Sequence, residues 1–217
     1  MIVSDEFVFA HIPKTGGTFL QDILSKHFPV VQEQAGDHSH HSIELLAPQH
    51  RGKPVFAVLR NPWAWYVSWF SYCLANDHNE EFRRNYTPGP GAFRDCIDRL
   101  LAPNHSDPHV NDYMAREDIG LLEMHRYHIL DLDCPDHDVH YGRLEHLRED
   151  VLAFLHSNGI SIPGSLADDL RRSASNTSRH GPWQKAYDRP LFEKVALKER
   201  RIIEIGQYGS LRESFLA

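Results

Sequence analysis

Phe7-Val8-Phe9-Ala10-His11-Ile12-Pro13-Lys14-Thr15-Gly16-Gly17-Thr18 is a short apolar run, stopped by proline and followed by a glycine-bearing loop. A run of this length with two phenylalanines reads as a buried strand rather than a helix. Beyond the loop, Phe19, Ile23 and Leu24 recur at helical spacing as far as Phe28-Pro29. The unit is strand, loop, helix.

The pattern repeats downstream. Pro54-Val-Phe-Ala-Val-Leu59 is almost entirely apolar, as a strand in a parallel sheet covered on both faces should be. Arg60 follows, and Asn61-Pro62 then supplies a strong helix N-cap with proline at the first helical position. The spacing predicts a helix from about Trp63 to Leu74, with Trp63, Val67, Phe70 and Leu74 as one apolar stripe. Val139-His-Tyr-Gly-Arg143 reads as a third strand. A helix over Glu145–Asn158 follows, closed by Gly159, the favoured residue just past a helix end. Further helices are expected at Ala92–Leu101, near Val110–Ala115, after Asp188, and around Ile202–Ile205. A short one is expected at Ser42–Leu46, and Leu121–Leu130 is ambiguous. Strands alternating with helices imply an α/β fold with a mainly parallel central sheet flanked by helices.

The 217 residues suffice for one sizeable core, so a single domain over 1–217 is expected. Net charge is −7 with sixteen histidines counted as neutral. That argues against a general nucleic-acid binder, though a few local cations can still hold a phosphate. The three cysteines, Cys73, Cys96 and Cys134, are widely spaced and offer neither a zinc pattern nor a disulfide framework. No apolar stretch approaches the ~20 residues of a membrane span, and the first residues lack a signal-peptide pattern. A cytoplasmic location is the expectation.

Ligands in open parallel sheets bind at the carboxyl ends of strands. Both Lys14–Thr18 and Arg60 fall there. A helix N-terminus presents backbone N–H groups and a partial positive charge, and two glycines let backbone approach a ligand closely. Lys14 adds a point charge, and Thr15 and Thr18 add hydroxyls. The combination is a cradle for phosphate or sulfate. It is not a Walker A loop, because Lys14 precedes the glycines instead of following them. Arg60 offers a fork suited to a second phosphate. By periodicity alone Ser68 is an ordinary helix serine.

The two segments together resemble the sulfotransferases that use 3′-phosphoadenosine 5′-phosphosulfate (PAPS). His11-Ile-Pro-Lys-Thr-Gly-Gly-Thr-Phe-Leu20 is similar to their 5′-phosphosulfate loop. Val58-Leu-Arg-Asn-Pro-Trp-Ala-Trp-Tyr-Val-Ser-Trp69 is similar to their 3′-phosphate segment. The nearest type is the carbohydrate-sulfotransferase-like group with its small bacterial members. Weaker likeness extends over Gly142–Leu147, Asn176–Ser178, Tyr187-Asp188 and Gly206–Gly209. Residues 75–135 match nothing in the pattern and are expected to form the acceptor side.

The resemblance implies a P-loop-type three-layer fold. It also implies transfer of a sulfuryl group from PAPS to an acceptor hydroxyl, on a carbohydrate, leaving 3′-phosphoadenosine 5′-phosphate (PAP). It assigns Lys14, Thr15, Gly16, Gly17 and Thr18 to the 5′-phosphosulfate, and Arg60 and Ser68 to the 3′-phosphate. Ser178 and Arg179 would close over the nucleotide.

Asp37-His-Ser-His-His41 is the remaining unusual cluster. Its spacing is too tight for an ordinary four-ligand zinc site, and no cysteine is near, so no metal is expected. The acceptor hydroxyl must lose a proton as it attacks, a task suited to histidine. His38-Ser-His-His-Ser42 resembles the His-x-His-x-Ser pattern of uronyl 2-O-sulfotransferases, in which the second histidine is the base. That maps to His40, with His41 and His38 as competitors and Glu33 and Glu44 ranked below. Two rivals remain: a P-loop small-molecule kinase using Mg-ATP, and a nucleotide-binding module without catalysis.

Overall fold

The computed structural model describes residues 1–32, 42–76, 79–130, 138–172 and 181–216. The chain forms two compact units, one of Met1–Arg60 with His125–Thr177, the other of Asn61–Met124 with Ser178–Ala217.

The first unit is built on a five-stranded sheet of β1 (Ile2–Ser4), β2 (Val8–Ala10), β3 (Val30–Gln32), β4 (Val55–Leu59) and β5 (Val139–Arg143), in spatial order β3-β1-β2-β4-β5. β2, β4 and β5 are parallel neighbours, whereas β1 pairs antiparallel with both β2 and β3. The parallel half follows the expected pattern. The antiparallel half comes from two three-residue strands too short to show a period. β1 reaches β2 through a tight turn in which Ser4 Oγ accepts from the amides of Glu6 and Phe7.

All five residues of β4 are buried, so both faces of this central strand are covered. Phe56 and Val58 of β4 and Phe9 of β2 face a core shared with the Gly17–His27, Leu147–Ser157 and Leu166–Arg172 helices. Phe154 stacks on Phe56 at 4.8 Å and meets Phe7 edge-on at 6.0 Å. Gly142 of β5 has to be small here, because a Cβ would lie 2.6 Å from the Phe56 ring. The Leu147–Ser157 helix is preceded by a 3-10 turn at Leu144–His146 and ends before Gly159, whose φ of 69° is glycine's region.

The second unit is helical around the Pro62–Ala75 helix. Asn61 caps it as expected, its Oδ1 accepting from the amides of Trp63 and Ala64 at 3.0 and 3.3 Å. The expected single stripe is corrected. Residues 62–69 are buried on every side, while Leu74 is 48% exposed. The helix is the unit's centre, not a surface helix. Trp63 stacks on Phe192 at 4.4 Å, and its indole N–H donates to the Phe192 carbonyl at 3.1 Å. The Arg189–Lys198 helix opens at the expected Asp188 cap. Leu121–Leu130 is a helix.

Within 75–135, helices span Glu80–Asn85, Ala92–Leu100 and Pro108–Ala115. The turn between the last two is clasped by buried His105, whose ring nitrogens lie 3.0 Å from the Glu81 carboxylate and 2.9 Å from the Leu100 carbonyl.

Candidate functional site

The site begins where β2 stops. After Ala10 the chain turns through Pro13 and Lys14 into the Gly17–His27 helix. Lys14 takes a left-handed φ of 63°, and Gly16, at the N-cap, a φ of 85°. No side chain caps this helix. The first intrahelical bond runs from the Leu20 amide to the Gly16 carbonyl at 3.2 Å. The amides of Gly17, Thr18 and Phe19 therefore precede the ladder and point out of the helix start.

Each glycine is required by a neighbour. A Cβ on Gly17 would lie 1.8 Å from His11 Cδ2, and one on Gly16 would lie 2.6 Å from Leu144 Cδ1. The buried His11 ring, stacked on Phe9, packs directly against the loop's last glycine. Sequence reading gave His11 no role. The signal available was its position between an apolar strand and the proline, where a polar ring must turn either into the core or into the site.

Thr15 differs from its expected part. It is fully buried, and its hydroxyl donates to the Ile12 carbonyl at 2.8 Å. That bond braces the loop, so the Thr15 hydroxyl proton is not available to a ligand. Thr18, by contrast, is exposed on the first helical turn, and Lys14 is half-buried.

Arg60 meets this loop. β4 lies beside β2 in parallel register, Ala57 opposite Ala10, so both chains leave the sheet at the same edge. Arg60 Nη1 donates to the Lys14 carbonyl at 3.0 Å. One guanidinium nitrogen thus fixes the strained residue of the loop. β5 ends at that edge too, with Arg143 opposite Leu59.

Taken together, a helix start without a side-chain cap follows directly on Lys14, whose carbonyl the Arg60 guanidinium holds. Such a group of donors can hold a compact tetrahedral anion.

No family model matches the sequence, and no curated protein matches it. Solved structures do. The crystal structure of mouse sulfotransferase SULT7A1 complexed with PAP is similar to this chain at a TM-score of 0.57 and 14% identity. The match covers 96% of this chain and 90% of that one. The chain has the sulfotransferase fold. The parallel strands β2 and β4 put the Lys14 loop and Arg60 at the same end of the sheet.

The other expected site residues divide into two groups. Ser68 is buried on the Pro62–Ala75 helix, and Glu44 is exposed within the Ile43–Leu45 turn. His38, His40, His41, Glu33, Ser178 and Arg179 lie outside the described residues. Among the described residues no group of three or more His, Cys, Asp or Glu is placed to hold a metal ion. No helix among them is long and apolar enough to cross a membrane.

A buried carboxylate in the second unit serves the structure. Glu199 is completely buried and accepts from the Tyr66 hydroxyl at 2.6 Å and the Leu122 and Glu123 amides at 3.0 and 2.9 Å. Burial, with the nearby Glu123 carboxylate adding, pushes its carboxyl up to about 7 despite those donors.

Proposed function

We propose that this chain is a PAPS-dependent sulfotransferase that moves a sulfuryl group onto an acceptor hydroxyl, on a carbohydrate. The observation that carries the reading is the Arg60 guanidinium on the Lys14 carbonyl at the carboxyl edge of the sheet, in a fold shared with a sulfotransferase complexed with PAP. The phosphosulfate assignment is supported by the helix start at Gly17, which no side chain caps and whose first amides precede the ladder.

The 5′-phosphosulfate is assigned to the Lys14 side chain, the Thr18 hydroxyl and the amides from Gly16 to Thr18, with Thr15 contributing through its backbone. Arg60 takes the 3′-phosphate. Ser68, Ser178 and Arg179 are further donors that the sequence resemblance alone supports. The acceptor oxygen attacks sulfur in line as the bond from sulfur to the bridging phosphate oxygen breaks. Its proton passes to His40, with His41 and His38 as the alternatives. Charge growing on the leaving PAP is stabilised by Lys14 and the loop amides, groups already oriented before the reaction.

The test is transfer from isotopically labelled PAPS to a mixed pool of hydroxyl acceptors, read by mass, alongside binding of PAP without magnesium. Transfer to a sugar hydroxyl is the expected result. Binding of Mg-ATP in place of PAP would replace the reading with a kinase. PAP binding with no transfer to any acceptor would leave a nucleotide-binding module.

A further inference from the structure

The donor has more negative charge than Lys14 and Arg60 can balance, and Arg179, proposed above as a further donor, lies outside the described residues. Its 3′-phosphate alone carries roughly −1.5 to −2 at neutral pH, and the phosphate and sulfate of the other end add a charge each. Arg60 also spends one of its nitrogens on the Lys14 carbonyl. The chain as a whole is net −7, so no diffuse positive field supplies the difference.

Another cation among the described residues lies at the same end of the sheet. Arg143 is the last residue of β5 and stands in register opposite Leu59, the residue before Arg60. The next residue, Leu144, occupies the space above Gly16. The end of β5 is therefore tied to the anion loop on one side and to the end of β4 on the other.

Arg143 is also held at its base by Asp150 of the Leu147–Ser157 helix. Its backbone amide donates to Asp150 Oδ2 at 2.8 Å, and its Nε lies 3.5 Å from the same oxygen. Among the described residues its Nη1 and Nη2 have no partner. The side chain is 33% exposed. A guanidinium steadied through Nε with both terminal nitrogens unspent is arranged for a bidentate oxyanion.

We infer that Arg143 is a further nucleotide-binding residue, pairing with the 3′-phosphate beside Arg60, and that Asp150 is its positioning residue. The inference rests on the sulfotransferase reading above. It explains why the third parallel strand ends in an arginine tied to the helix behind it.

The experiment compares the affinity of PAP with that of 5′-AMP, which lacks the 3′-phosphate, by calorimetry on the full chain. Arg143→Ala is expected to weaken PAP roughly 10- to 100-fold, the worth of a hydrogen bond to a charged group, and to leave 5′-AMP unchanged. Arg143→Lys should recover part of the preference. Asp150→Asn should erode it less, and thermal melts confirm that each variant is folded. Parent protein that binds PAP, with the PAP-to-AMP ratio unchanged in Arg143→Ala, overturns the role of Arg143 alone. Equal weakening of both nucleotides overturns the 3′-phosphate assignment. Parent protein that binds no PAP overturns the sulfotransferase reading, and this inference falls with it.

Discussion

At the scale of the residue, Lys14 does two things at once. Its side chain supplies positive charge, and its backbone sits in a left-handed conformation at φ 63°, which costs a non-glycine residue on the order of 1 kcal/mol or more. The Arg60 bond to its carbonyl helps hold that conformation. The two contributions separate by substitution. Lys14→Gly relieves the backbone and removes the charge, so its melting temperature should match or exceed the parent's while turnover falls by roughly 10²–10³-fold. Lys14→Ala should lose as much activity without the gain in stability. Near-normal turnover by Lys14→Gly would remove the ammonium from the chemistry. The charge was legible in the sequence. The strain and the brace from Thr15 to Ile12 were not, because both depend on how the loop closes over β2.

At the scale of the element, the Leu121–Leu130 helix shows why a stretch can be ambiguous by sequence and regular in the fold. Its first amides are satisfied by Glu199, 77 and 76 residues away, and by the Tyr66 hydroxyl, which accepts from Leu121 at 2.9 Å. No local capping residue announces the start. Gly120 must be glycine, since a Cβ would sit 2.1 Å from Glu199 Oε1.

This network also predicts a pH effect. The Glu199 carboxyl titrates near 7 when folded, against an ordinary value of 4.5. The folded chain therefore holds this proton more tightly than the unfolded chain does. The associated stability is fully present below about pH 4.5 and is lost as pH rises through about 7. The amount is on the order of 3 kcal/mol. Glu199→Gln removes the titration, so the stability of the parent minus that of the variant should fall between pH 5 and pH 8 in denaturant melts. A difference that stays flat over that range would sink the assignment.

At the scale of the whole molecule, the prediction concerns ligand linkage. A nucleotide that binds only the folded chain adds about 2.7 kcal/mol at a hundredfold excess over its Kd. For a chain of this size that is a rise in Tm of roughly 5–10 °C. PAP should produce it without magnesium, and Mg-ATP should not. An equal response to both would dissolve the distinction between this loop and a Walker A loop.

The sequence by itself determined the apolar strands β2 and β4, the helix starts at Asn61 and Asp188, and the places of the glycine loop and Arg60 at strand ends. All of these are local: apolar runs, caps written in adjacent residues, and glycines next to a strand end. Only the tertiary structure decided the rest. It set the antiparallel half of the sheet, the burial of residues 62–69 of the Pro62–Ala75 helix on every side, the cap that Glu199 provides from far along the chain, and the register that puts Arg143 opposite Leu59. Each depends on residues far apart in sequence meeting through strand register or packing, and no local pattern records such a meeting.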